Sequence, residues 1–404
     1  VHIDAESTKA ATNIIDDLAK WRHRIGPHKR ALGLLLSYVM GISSYEDQIF
    51  LASIIRDYQL MPDVRLNIQP RPKLHEVGLA YIHQWKEMGT FESIEKRTLK
   101  GKNLTDGELS ANLYAVTVKA SATDDDWQEV LRVIGTHIVH NEIFQDSLAH
   151  LRNIESQGVS KKRVGFCFAT DAHGLRVPFE WAVFAEQSSP LCLQHPVRRL
   201  MLRCPEPRQA LHELLEIGIP LRVLLVASNT GEIDEVEEEI ESVYSMFKNW
   251  FNQVGWPESN ICKLTSQAAT VDRIEKEIKH GHYHILHFAG HGGYFDEKPV
   301  LQVYENEDME TLALISATML RRWITDSDLS FVYLSTCRGV GTEIPELKTA
   351  VRLFENMALA VVDASVPELI GFVWPVDDRQ SKLLATQFYH QFLESFDANL
   401  ALYQ

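Results

Sequence analysis

Cysteine is scarce in this chain, with five residues (Cys167, Cys192, Cys204, Cys262 and Cys337) among 404. The number is odd, no CxxC pair occurs and no spacing matches a zinc site, so neither a disulfide framework nor a structural metal centre is read from them. A core can form at this length without such staples, and a reducing cytoplasm is the expected setting. Excess positive charge is missing too. Forty basic against 55 acidic side chains give a net charge of -15, which argues against phosphate binding over the whole surface and leaves nucleic acid only an indirect role, if any. Long apolar runs are absent: Ala31 to Ile42 is broken by Gly33, Ser37 and Gly41. It falls well short of the roughly 20 residues a membrane span needs, so it reads as a buried helix and no membrane partner is expected. No charged-then-apolar leader follows Val1, and a start at valine is expected of an excerpt or a processed product. There is no G-x-S-x-G elbow, no Walker A loop and no 34-residue repeat. Gly339-Val340-Gly341 lacks the third glycine of a dinucleotide loop, since position 344 is Ile344.

What is present is ordinary for a soluble globular protein of two or three domains, with 45% hydrophobic and 24% charged residues. Residues 1–155 read as a helix-rich N-terminal region. Ser43 and Glu46 have capping-box spacing, the pattern between Arg65 and Ala120 is irregular with a strand-like run at Leu113 to Val118, and a helix is expected from Trp127 through about Ile154. From 156 to 404 strands alternate with helices. Arg163 to Thr170 and Leu221 to Ser228 are short apolar runs of the kind buried on both faces of a sheet. After the second, Val236, Ile240, Val243 and Phe247 recur at helical spacing, and the acidic run Glu235 to Glu241 reads as a solvated helix face. A helix opens at Thr270 and ends at Gly281. Strands are expected at Tyr283 to Ala289, Phe331 to Thr336 and Leu369 to Trp374, then a closing helix capped by Asp377 or Asp378 with Leu384, Phe388 and Phe392 inward. The fold class is α/β, with a mostly parallel sheet flanked by helices.

Ligands of such sheets sit outside the carboxyl ends of the strands. Two ends carry reactive side chains: Ala289-Gly290-His291-Gly292-Gly293 and Ser335-Thr336-Cys337-Arg338-Gly339. On neighbouring strands, His291 and Cys337 would project into one cleft. An imidazole near neutral pKa can take the thiol proton, making the thiolate that attacks an acyl group, and later return it. Backbone N–H groups of a glycine-rich turn can approach a substrate carbonyl with no side chain in the way, and the Gly292 and Cys337 amides are the candidate oxyanion donors. Taken singly, a cysteine after a strand or a histidine at a turn is more often structural. His282, His284 and His287 alternate between strand faces, cannot converge with His291 on one metal ion, and read as structural, with His287 lying behind His291.

Three stretches, HILHFAGHGGYFDEKPVLQV (His284 to Val303), LSFVYLSTCRG (Leu329 to Gly339) and ELIGFVWPVDDRQ (Glu368 to Gln380), together resemble the CHAT domain of caspase-like cysteine peptidases. The upstream LRVPFEWA (Leu175 to Ala182) follows the same order, and the likeness covers roughly residues 160 to 400. The resemblance implies a caspase-hemoglobinase fold and a His/Cys dyad at His291 and Cys337, without cofactor or metal. In relatives that cut after basic residues, a carboxylate closes the first specificity pocket, here Asp377 or Asp378; the same carboxylates serve equally well as helix caps. Loops after the nucleophile, here Glu343 to Glu346 and Asp363, are natural lids.

The expectation is therefore a cytoplasmic cysteine endopeptidase, domain 156–404, making regulated, limited cuts in a protein substrate. The resemblance implies service in bacterial defence or signalling, with an activating protein partner docked on residues 1–155. The alternative is a catalytically silent caspase-like interaction module, and a third option is acyl transfer on a non-peptide substrate by the same dyad.

Overall fold

The computed structural model describes residues 75–82, 87–90, 99–100, 164–170, 189–201, 208–230, 234–295, 298–337, 357–372 and 378–403, with a few single positions such as Glu180. The expected features at Ser43, at Leu113 to Val118 and across most of Trp127 to Ile154 lie outside them.

A seven-stranded sheet forms the centre. β6 (Val223–Ser228), β7 (Ile261–Leu264), β8 (Ile285–Phe295), β11 (Phe331–Cys337) and β12 (Glu368–Gly371) pair in the order β7-β6-β8-β11-β12, all parallel. β9 (Lys298–Tyr304) and β10 (Leu312–Ser316) then join antiparallel on the far half of β8. The sheet is thus mixed, a correction to the expectation of a mostly parallel one. The extra strands arise because β8 does not stop at Ala289. It runs through the glycines to Phe295, where β9 supplies the partner that keeps it extended.

The apolar runs have their predicted cause. Every residue of β6 is buried, because helices cover both faces. On one face Val223, Leu225, Ala227, Ile285, Ala289, Phe331 and Tyr333 meet α2 (Asp234–Val254) and α5 (Asp378–Ser395). On the other, Leu224, Val226, Leu286, Phe288, Val332 and Leu334 meet α3 (Val271–His280) and α4 (Ala317–Thr325) together with Met357 and Val361 of the helical residues 357–362. α3 begins where Thr270 accepts the Arg273 amide and ends at Gly281, as its capping residues dictate. Phe388 and Phe392 of α5 are fully buried beside Phe331, each such burial contributing on the order of 1.5–3 kcal/mol. Leu384, expected inward, is exposed; Ser381 and Ala385 take the inward places instead.

A second sheet has the order β3-β2-β1-β4-β5, made of β1 (His75–Ile82), β2 (Glu87–Thr90), β3 (Leu99–Lys100), β4 (Val164–Thr170) and β5 (Val197–Met201). What is described between residues 75 and 100 is strand rather than helix, and β1 pairs in parallel with β4 across the expected 155/156 boundary. Two short helices complete the order: α1 (Leu211–Glu216) before β6 and α6 (Ala398–Tyr403), whose Tyr403 hydroxyl donates to the Gln194 carbonyl. Among the described residues, no helix is long and apolar enough to cross a membrane.

Candidate functional site

Three parallel strands end together. Ser228 of β6 is in register with Gly290 of β8, Thr336 of β11 pairs with Gly290 from the other side, and Cys337 pairs with His291. Register partners on adjacent parallel strands have backbones roughly 4.8 Å apart and share a face of the sheet. Positions 291 and 337 are therefore neighbours at the carboxyl rim, where α/β sheets hold their ligands. His291 is buried.

Gly290 makes the close approach possible. A β-carbon there would lie 2.8 Å from the Ser228 carbonyl oxygen and 3.0 Å from the Ser228 β-carbon. Only glycine lets β6 and β8 run this close immediately before His291. Beyond His291, Gly292 is opposite Leu301 of β9. The Ser228 hydroxyl donates to the Gln302 carbonyl at 2.8 Å, which holds β9 on the β6 side of β8.

The neighbouring His282, His284 and His287 have structural roles. The His284 ring accepts the Arg222 amide through Nδ1 at 3.1 Å, and burial pushes its pKa down to about 4. His282 Nδ1 lies 2.7 Å from Asp328 Oδ2. His287 is fully buried behind His291 on the same face, with Nε2 2.8 Å from Glu239 Oε1 and Nδ1 3.1 Å from the Tyr389 hydroxyl. Among the described residues no three His, Cys, Asp or Glu side chains are grouped to hold a metal ion.

Glu239 corrects the reading of Glu235 to Glu241 as a solvated face. Glu237, Glu238 and Glu241 are exposed, but Glu239 is 2% exposed and accepts from Ser381 at 2.8 Å. The signal was its spacing: three residues after Val236 and four before Val243, it falls on the apolar stripe. The Ser381 hydroxyl is 2.7 Å from that of Ser335; Ser335 belongs to the Ser335-Thr336-Cys337 strand end already singled out, whereas Ser381 carried no sequence signal.

Asp377 lies outside the described residues, and Asp378 is the first residue of α5. Glu343 to Glu346 lie outside them as well. Asp363 is not in a lid: it follows the helical residues 357–362, its amide donates to Leu359 and its carboxylate pairs with Arg321 at 3.3 Å. Glu180 of the LRVPFEWA stretch makes a two-pronged pair with Arg199 of β5, at 2.7 and 2.6 Å.

The other described cysteines are poor nucleophiles. Burial, then the Glu180 charge, pushes the Cys192 thiol up to about 11. Burial likewise raises Cys262, and Cys167 is buried. Cys192 and Cys262 are thereby held as the unreactive thiol.

A central sheet flanked by helices, with positions 291 and 337 in register at its carboxyl rim, makes this a mixed α/β domain. A family model for the CHAT domain matches residues 134–404. The chain belongs to that family, and the match begins ahead of the boundary expected at 156. No curated protein matches the chain.

Proposed function

We propose that this CHAT domain is a cysteine endopeptidase whose nucleophile is Cys337 and whose general base and acid is His291. The observation that carries the reading is the pairing of β8 with β11, in which position 337 lies beside position 291. His291 takes the thiol proton of Cys337, and the thiolate adds to a substrate carbonyl carbon. As the tetrahedral intermediate collapses, the carbon–nitrogen bond breaks and His291 gives its proton to the leaving amine. Water then attacks the thioester, His291 again removing a proton, and the acid product leaves as the thiol re-forms.

The oxyanion donors are the Gly292 and Cys337 amides. Support for Gly292 comes from ladder alternation. Pro299 has no amide hydrogen and faces Tyr294, which suits a non-hydrogen-bonded place. Two residues along, Gly292 opposite Leu301 takes the same kind of place, with its amide turned from β9 toward the β11 edge. Such a donor costs no reorganisation when charge develops, and removing one of this kind lowers kcat by about 10²–10³-fold in other enzymes.

The substrate is a protein cut at few sites, and an activating protein partner docks on the N-terminal region. Asp377 or Asp378 selects a basic residue before the cut by a charge-assisted hydrogen bond. The setting is cytoplasmic, as the sparse, unpatterned cysteines suggest, and the role in bacterial defence or signalling follows from family membership alone. The deciding experiment compares new peptide termini in a proteome exposed to the wild-type chain and to Cys337→Ala. Cleavages that vanish with the sulfur support the reading, and an identical set from both proteins defeats it.

A further inference from the structure

A chain of buried polar side chains lies beneath the strand ends, in a layer otherwise built of aliphatic and aromatic residues. Glu239 of α2 accepts from Ser381 of α5 at 2.8 Å through Oε2, and its Oε1 is 2.8 Å from His287 Nε2 on β8. The Ser381 hydroxyl reaches Ser335 of β11 at 2.7 Å. The His287 ring lies flat on Tyr333, with centroids 4.7 Å apart, and Tyr389 of α5 is 3.1 Å from Nδ1. Four elements are joined: α2, α5, β8 and β11.

Ser381 O–H donates to Glu239 Oε2, and a carboxylate accepts, so His287 Nε2–H donates to Oε1. Ser335 O–H then donates to Ser381, and Tyr389 O–H to His287 Nδ1. Burying such groups is expensive, and apolar replacements are often neutral or stabilising, so stability explains the network poorly. Its position explains it better. Ser335 is two residues before Cys337 and His287 is four before His291, each on the same face as the residue it precedes, and the pairs 287/333, 289/335 and 291/337 are in register.

We propose that Glu239, acting through Ser381 on Ser335 and directly on His287, is a positioning residue that fixes β8 and β11 against α2 and α5, so that positions 291 and 337 keep the separation proton transfer needs. It touches no reacting atom, and the proposal rests on the His291/Cys337 reading above.

The test uses the full chain carrying Ser381→Ala, Ser335→Ala or both. Tyr283→Phe is the control, because it removes another hydroxyl bond, the partly buried 2.8 Å donation to Glu277 just before β8. Three quantities are measured: the rate of iodoacetamide alkylation at Cys337 followed by mass spectrometry, kcat and KM on a cleaved peptide, and melting temperature. Each single variant should lower alkylation and kcat about tenfold, with KM within about twofold. The double variant should be no slower than the slower single, because both cut one connection. Tyr283→Phe should lower the melting temperature while leaving both rates unchanged. If Cys337 is labelled selectively and through His291, yet Ser381→Ala reacts as wild type or the two losses multiply to about a hundredfold, the positioning role is refuted and the dyad stands. If wild-type Cys337 is labelled no faster than Cys192, and His291→Ala changes nothing, the dyad reading falls and the positioning role falls with it.

Discussion

Gly290→Ala is the smallest change that tests whether the closeness of β6 and β8 matters to the site. The added methyl would meet the Ser228 carbonyl oxygen at 2.8 Å, where ordinary contact begins at 3.4 Å. The strands must part by about 0.6 Å, the difference between those distances. The obstacle is backbone, so no side chain can swing away to relieve it; Phe288 at 3.3 Å closes a further direction. Overpacking of this kind costs about 1–3 kcal/mol. For a domain of this size that is a fall of roughly 2–4 °C per kcal/mol, or about 4–8 °C for the middle of the range. Function should suffer more than stability. Displacement falls on the residue before His291, and misplacing a reacting group by about 1 Å can cost 10²-fold, so about tenfold or more should be lost. Scanning calorimetry and the iodoacetamide rate at Cys337 read the two effects on one preparation. A variant that melts with the wild type and is alkylated at the same rate would refute the argument, because the methyl would then have been absorbed without moving either strand.

Other expectations follow from the same geometry. Asp377→Ala and Asp378→Ala, screened on a peptide library, should relax the preference for a basic residue in one of the two; unchanged preference in both removes the specificity assignment. Burial lowers the His284 pKa to about 4, against about 6.5 when unfolded. The unfolded chain thus binds that proton first, and stability falls as pH drops from about 6.5 to about 4, by about 3 kcal/mol from this group. Urea midpoints across that interval should lose this part of their slope in His284→Gln; equal slopes would contradict it. The Arg208 guanidinium donates to the Ile324 and Thr325 carbonyls at 2.8 Å, closing the last turn of α4. Arg208→Ala should cost about 1–3 kcal/mol in chemical denaturation while leaving kcat untouched.

Much of the central architecture was legible because local and tertiary demands agree. β4 and β6 are continuous apolar runs since both faces are covered, and α3 declares its ends through Thr270 and Gly281. β11 was read to within a residue. The hairpin was not legible: Gly290, Gly292 and Gly293 look like a loop, and it is pairing with β9 that keeps Gly292 and Gly293 extended. Leu384 misled because a leucine on an amphipathic helix predicts burial, whereas Ser381, bonded to Glu239, took the inward stripe. The neighbourhood of His291 and Cys337 was legible only through strand ends, since their register depends on which strands adjoin. Glu239 was hidden by composition, one acid among several whose neighbours face water.

His291 sits where β8 changes partners, at the last residue it shares with β11 and just before the ladder with β9 begins. The strand continues unbroken to Phe295, whose side chain stands in water. A torque applied at that outer tip would meet no joint along the ribbon and would be felt directly as a tilt of the imidazole. The hairpin is in this sense a lever with His291 near its fulcrum.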